Sequence, residues 1–396
     1  MTMKKTPDTS FVSILLIFLR LGLTSFGGPV AHLGYFREEF VNRRRWLSDQ
    51  SYADLVALCQ FLPGPASSQV GLALGLSRGG YAGALAAWCG FTLPSALALI
   101  LVAYGATAPN GVLDAGVVHG LKLMAVAVVA QAVWGMSQTL CRGKIRIAIM
   151  LLAATAMLLS PAVWLQPLLM LLAGLAGWKL LTPTNADHAA QIPIHVSTRQ
   201  GSGWLMLFFA LLLALPVITA LTANPALTLI DLFYRAGSLV FGGGHVVLPL
   251  LQAETVPTQL ISEDLFLAGY GAAQAVPGPL FTFAAYLGTT MTPMPGWPGG
   301  LIALLAIFLP SFLLVAGVLP FWDRLRRITA VRAALSGVNA AVVGLLLAAL
   351  YDPIWTRTIL SPTDFALALL AFFALQVWKV PVWILVPLFA GAGWIA

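Results

Sequence analysis

Slid against itself by about 215 residues, the chain matches itself in order. Arg20-Leu21-Gly22 aligns with Arg235-Ala236-Gly237, Phe26-Gly27-Gly28 with Phe241-Gly242-Gly243, and Glu39 with Glu254. Further on, Ser48-Asp49 aligns with Ser262-Glu263, and "QFLPGP" (Gln60 to Pro65) with "QAVPGP" (Gln274 to Pro279). Pro94-Ser95 then meets Pro310-Ser311, and Gly120 meets Gly337. Isolated matches would be noise in a chain rich in Gly and Pro. An ordered series at a nearly constant offset is a duplication, so the fold must be built from two equivalent halves.

The building blocks are apolar. With 59% hydrophobic residues, 9% charged and a mean hydropathy of +0.90, the chain lies far outside the range of soluble domains. Runs near the ~20 residues that cross a bilayer recur along the whole length, which predicts an all-α, polytopic membrane protein. Six segments are expected in the first half, near 11–34, 51–76, 80–105, 112–140, 146–160 and 162–181. Their six counterparts lie near 226–250, 264–289, 298–320, 331–351, 363–377 and 380–396. The expected organisation is a first repeat over 1–181, a polar linker over 182–203, one connecting transmembrane helix over 204–222 and a second repeat over 223–396. An even number of segments plus one single span turns the second half upside down, as in many secondary transporters.

Charge tests this topology. With the N-terminus inside and the first two segments of each half re-entrant, Arg43 to Arg45, Arg78, Arg142, Lys144, Arg146, Lys179, Arg199, Arg332 and Lys379 all fall on the cytoplasmic side. Arg357 falls outside. If every segment crosses instead, Arg43 to Arg45 move outside and the acidic loop with Glu254, Glu263 and Asp264 moves inside, which fits the positive-inside rule less well. The net charge of +7 therefore reflects membrane topology, and no nucleic-acid partner is expected. Cys59, Cys89 and Cys141 form no C-x-x-C pair, so neither a metal site nor a disulfide framework is indicated. Lys4 and Lys5 precede the first apolar stretch, but Arg20 interrupts it and the segment recurs mid-chain, so it is expected to be retained.

The chemistry should lie where the helices break. Pro63-Gly64-Pro65 and Pro277-Gly278-Pro279 remove amide donors and free carbonyls, which lipid does not tolerate, so this backbone must face protein or a water-filled cavity. Gly27, Gly28, Gly242 and Gly243 let the chain turn sharply and bring amides close to a ligand. A half-helix starting there aims free N–H groups and a partial positive charge at an anion. The plainer reading is that Gly and Pro merely kink helices and allow close packing.

Arg20 and Arg235 sit at equivalent intramembrane positions, where a charge costs from about 2.5 kcal/mol upward and usually faces a cavity or a partner. Their planar donor forks suit tetrahedral oxyanions. The alternatives are an ion pair with Glu39, Glu254 or Asp54, or snorkelling to an interface. Lys122 is a third intramembrane cation, and its counterpart Asn339 is neutral. Gln60 and Gln274 precede the Pro-Gly-Pro triplets and could donate to a ligand or cap loose carbonyls. His32 and His245 follow the glycine clusters; with Glu39 and Glu254 they are candidates for coupling, against a structural role.

Two halves that each carry an F-G-G motif, an acidic residue some eleven positions later and a P-G-P triplet resemble the chromate ion transporter family in its long, two-domain form. "SFGGP", "LPGP", "VFGGGH" and "VPGP" in this order carry the resemblance, which covers nearly the whole chain. It implies chromate efflux across the bacterial cytoplasmic membrane, with sulfate as a competing analogue, no cofactor and no enzymatic step. Chromate is a dianion near neutral pH, so a potential negative inside favours exit. At about 2.3 kcal/mol per charge per 100 mV, two charges gain ~4.6 kcal/mol. Readings left beside it are a sulfate or other oxyanion transporter, an anion channel and a membrane-embedded reductase, for which no redox site is visible. The bilayer and the oxyanion are the expected partners, and a second copy of the chain is a further candidate.

Overall fold

A computed structural model of the chain describes residues 9–26, 28–107, 115–160, 165–182, 196–222, 224–241, 244–292, 294–325 and 328–395. Gly27, Gly242, Gly243 and most of the polar linker lie outside the described residues. Among the described residues the secondary structure is helical, with no strand. The first half comprises α1 (Phe11–Thr24), α2 (Gly28–Arg37) with a π-helical extension (Glu38–Arg43), α3 (Asp49–Phe61), α4 (Ala66–Thr107), α5 (Ala115–Leu140), α6 (Lys144–Leu159) and α7 (Leu165–Leu180). Helix α8 (Thr198–Thr222) connects to the second half. There follow α9 (Pro225–Leu239), α10 (Val247–Thr255), α11 (Glu263–Ala275), α12 (Phe283–Thr290), α13 (Trp297–Val318), the short α14 (Trp322–Leu325), α15 (Thr329–Ala349), α16 (Pro362–Gln376) and α17 (Val382–Ile395). Helices α4, α5, α8, α13 and α15 are long and apolar enough to cross a bilayer. The protein is a multi-pass membrane protein.

The repeat in sequence is a repeat of helix starts and stops. Ser48 caps α3 by accepting from Ser51 N, and Ser262 caps α11 by accepting from Leu265 N, which explains why Ser48-Asp49 and Ser262-Glu263 match. The two Phe-Gly-Gly motifs fall where α1 and α9 end, and the two Pro-Gly-Pro triplets where α3 and α11 end. The expected segments 11–34 and 51–76 are thus each two half-helices. Helix α4 merges the second of these with the next segment across a kink at Gly79-Gly80, where Gly80 takes φ +60°.

Each broken pair doubles back. Helix α2 and its extension fold down α1, with Phe36 edge-on to Phe18 and Phe40 stacked on it, and Phe40 leads to Trp46. Trp46 lies under the Arg78 guanidinium at 4.9 Å, so the Arg43 to Arg45 loop and the α4 kink share one end of the molecule. In the second half Arg357 meets Glu263 at 3.4 Å, which places the acidic loop beside the end of α15.

The crossing helices of the two halves run antiparallel. Trp88 packs on Phe308 and Phe312, while Tyr104, further along α4, accepts from the Trp297 backbone N–H at the start of α13. The halves are also interlocked: α5 packs against α16 and α17, and its counterpart α15 packs against α6 and α7. Gly120 lies against the Phe389 backbone and Gly337 against the Ala173 backbone, so the same close approach is made twice. A side chain at either glycine would force the interlocked helices apart.

Candidate functional site

The freed carbonyls of one half are satisfied by the other. The Ser25 carbonyl, at the end of α1, accepts from Gly278 N at 2.9 Å; the Val240 carbonyl, at the end of α9, accepts from Gly64 N at 2.6 Å. Both carbonyl residues are fully buried, where an unmade hydrogen bond costs about 1–3 kcal/mol. The geometry demands glycine at both donors. Gly64 takes φ +116° and Gly278 φ +99°, and a Cβ would lie 2.6 Å from Ser311 Oγ at the first and 2.8 Å from Ser95 Oγ at the second. Those serines belong to the repeated Pro-Ser pairs, so each triplet is seated on the crossing helix of the opposite half.

Further donors line the break. Gln69, fully buried in α4, donates its Nε2 to the Pro63 carbonyl at 2.6 Å. The Ser25 carbonyl also lies 3.1 Å from His32 Nε2. A carbonyl only accepts, which sets the hydrogen on Nε2 and leaves Nδ1 to accept from Ser67 Oγ at 3.4 Å. Among the described residues, the buried hydroxyls of Ser25, Ser68, Thr92 and Ser311 make no hydrogen bond.

A cavity of about 60 Å³ opens at the junction, several times the roughly 10–15 Å³ one water needs. It is lined by Gly28, Gln131, His245, Gln274, Gly278 and Leu280, residues from both halves. Gly28 starts α2 at φ +77°, and a Cβ built on it would meet nothing within 4 Å, so its open side faces empty space. The Gln274 Nε2 is buried and makes no hydrogen bond. His245 Nδ1 lies 2.8 Å from the Tyr270 hydroxyl; with Tyr270 donating, Nε2 carries the hydrogen and is a donor. The cavity therefore gathers neutral donors at a half-helix start, an arrangement that suits an oxyanion.

The expected site residues divide into two sets. Gly28, Gln274, Gly278 and His245 come together at the cavity, with Gly64, Pro63, Pro65, Pro277 and Pro279 forming the breaks around it. Of the other described ones, His32 sits at the Ser25 break and the rest are not part of the cavity lining. Arg20 points from the exposed face of α1, because the buried stripe Ile14, Ile17, Phe18 and Leu21 turns it away. Arg235 is held by carboxylates, with Nη1 and Nη2 at 3.0 and 2.9 Å from Glu254 and Nε at 3.1 Å from Asp231. This is the internal ion pair weighed against substrate contact. Glu39 pairs with Arg43 and Arg44. Lys122 is bound to Asp264 at 2.7 Å, Asn339 is half-buried in α15, and Gln60 is exposed. The carbonyl-capping role weighed for Gln60 is performed in that half by Gln69.

Sequence reasoning missed Gln69, Gln131, Tyr270 and Asp231. Gln131 and Gln69 are single polar residues in long apolar runs, a signal that was available. Asp231 stands one helical turn before Arg235, an i, i+4 spacing that announces a pair.

The chromate transporter family model matches residues 12–178 and 227–394, one match for each half. A chromate transport protein of Cupriavidus metallidurans is 27% identical over 85% of this chain and 81% of its own length. A chromate transport protein of Pseudomonas aeruginosa is 28% identical over 87% of this chain and 82% of its own. An uncharacterised transporter of Methanocaldococcus jannaschii is 26% identical over 87% and 85% respectively. No solved structure matches the chain. Matched in both halves, and with its broken helices at the motifs that carried the resemblance, the chain belongs to the chromate transporter family.

Proposed function

We propose that this protein is a secondary transporter that exports chromate across the bacterial inner membrane and thereby confers chromate resistance. One observation carries the reading: the cavity where the breaks of both halves meet, lined by Gly28, His245, Gln274 and Gly278, in a chain of the chromate transporter family. Its donors are neutral, so they bind a dianion without the tight ion pairing that would slow its release. The oxyanion sits there between the repeats, and rocking of one half against the other exposes it to each side in turn. The membrane potential favours exit of the dianion, and no catalytic step is needed.

In this reading the repeats, 1–181 and 223–396, are inverted in the membrane. The antiparallel run of α4 and α13 supports it, and the Arg78–Trp46 and Arg357–Glu263 contacts support re-entrant α1–α2 and α9–α10 hairpins opening to opposite sides. Neutral donors read four oxygens and a charge rather than the central atom, which favours sulfate as a second substrate.

The test is uptake of labelled chromate into inverted vesicles under an imposed potential, with sulfate as competitor. Uptake that sulfate suppresses and that Gln274→Ala reduces is the expected result. Absence of uptake of either anion sinks the assignment.

A further inference from the structure

Away from the cavity, one cluster holds more negative than positive charge inside the fold. On α9, Asp231 and Arg235 are paired, and Arg235 reaches across to Glu254 on α10. Two carboxylates thus share one guanidinium. They are not equivalent: Glu254 takes both terminal nitrogens of Arg235, whereas Asp231 takes only Nε, on Oδ2, at 3.1 Å. The Asp231 side chain is 9% exposed, and its Oδ1 is buried with no hydrogen-bond partner.

Among the described residues, Arg235 is the one cation paired with either carboxylate. Arg235 acts on both carboxylates, and Asp231 acts on Glu254. Helix α13, packed on α9, has no ionisable side chain, and α8 has only Arg199, in its first turn. Helix α15, packed on α10, bears Arg332 near its start. A buried pair of carboxylates on a single guanidinium keeps one of them neutral by binding a cation, and the open Oδ1 marks which.

We propose that Asp231 Oδ1 is the binding site of a coupling proton, exchanged for the oxyanion in each transport cycle. This rests on the reading of the protein as an oxyanion transporter. Arg235 ties α9 to α10, and Val240 and His245 lie just beyond their inner ends. Asp231 stands nine residues before Val240, roughly 13 Å along α9, so the proton acts at a distance from the cavity, through the two helices that build one of its breaks. Loss of the proton leaves two charged carboxylates competing for Arg235 and loosens that tie. The first half has no such site, since Leu16 stands one turn before Arg20 and Glu39 is bound by two arginines.

The test uses the purified full chain in proteoliposomes. With the potential clamped at zero, a pH gradient is expected to drive chromate accumulation by the wild type and not by Asp231→Asn, a loss of at least tenfold. Chromate counterflow at equal pH needs no net proton movement and is retained. Asp231→Glu, which keeps the carboxyl, restores the pH-driven flux. Infrared spectra at neutral pH should show a protonated-carboxyl band that Asp231→Asn lacks. The proposal is overturned if Asp231→Asn still follows the pH gradient, if a sodium gradient replaces it, or if the wild type lacks the band. Counterflow by a wild type indifferent to the pH gradient overturns the proton site alone. Absence of counterflow from the wild type sinks the transport reading instead, and the infrared band then decides the proton site.

Discussion

At the same place in the repeat, the two halves treat an arginine and a glutamate in opposite ways. In the second half Arg235 grips Glu254 with both terminal nitrogens and adds Asp231. In the first, Arg20 faces outward and Glu39 is bound by Arg43 and Arg44 instead. The breaks show no such divergence: Gly64 to Val240 and Gly278 to Ser25 are one hydrogen bond made twice. Backbone groups in a membrane must be paired whatever the function, so the duplicated pattern survives in both copies. Charges and polar side chains were free to specialise, and they mark what each half does.

The symmetric part should break symmetrically and hardest. Gly64→Ala and Gly278→Ala each force a Cβ into the left-handed region and against the opposite half's serine. Each should cost about 2–5 kcal/mol, summing strain and overpacking. Thermal unfolding in detergent measures this, and a loss in only one variant would show that the halves are not equivalent at their breaks.

The charged pair should break asymmetrically. Arg235→Gln removes the shared partner of Asp231 and Glu254 and should cost about 1–3 kcal/mol, less than a fully buried pair because its side chain is 31% exposed. Arg20→Gln, on the exposed face, should stay within about 0.5 kcal/mol of the wild type in the same assay. Next comes Gln274→Ala, which removes an unpaired donor at the cavity and should weaken chromate binding about tenfold, or ~1.4 kcal/mol. Gln60→Ala, its exposed counterpart, should leave titrated affinity unchanged. A small effect is also expected from Arg44→Ala, which removes one of two partners of Glu39 and should cost under about 1 kcal/mol.

Much of this arrangement was legible in the sequence, for definite reasons. The Ser48 and Ser262 caps, the Phe-Gly-Gly stops and the Pro-Gly-Pro stops are local signals, and each fell at a helix end. What joins those ends is not local. That the Gly278 amide serves the Ser25 carbonyl depends on how two halves dock, and no spacing within either half encodes it. Arg20 is a case of a different kind. The stripe Ile14, Ile17, Phe18 and Leu21 already assigned the buried face of α1, and Arg20 is off it, but the repeat match with Arg235 outweighed the periodicity. Equivalence in a repeat fixes backbone position; it does not fix what a side chain meets.

The central claim is that the oxyanion sits in the cavity between the breaks, not on the repeated arginines. Chromate titration of purified Gly28→Ala and Arg20→Gln beside the wild type tests it most directly. A methyl at Gly28 meets no atom within 4 Å, and thermal unfolding of the same variant separates the strain at its φ of +77° from an effect on binding. The account predicts at least tenfold weaker binding by Gly28→Ala and wild-type binding by Arg20→Gln. Wild-type binding by Gly28→Ala together with loss in Arg20→Gln would contradict it.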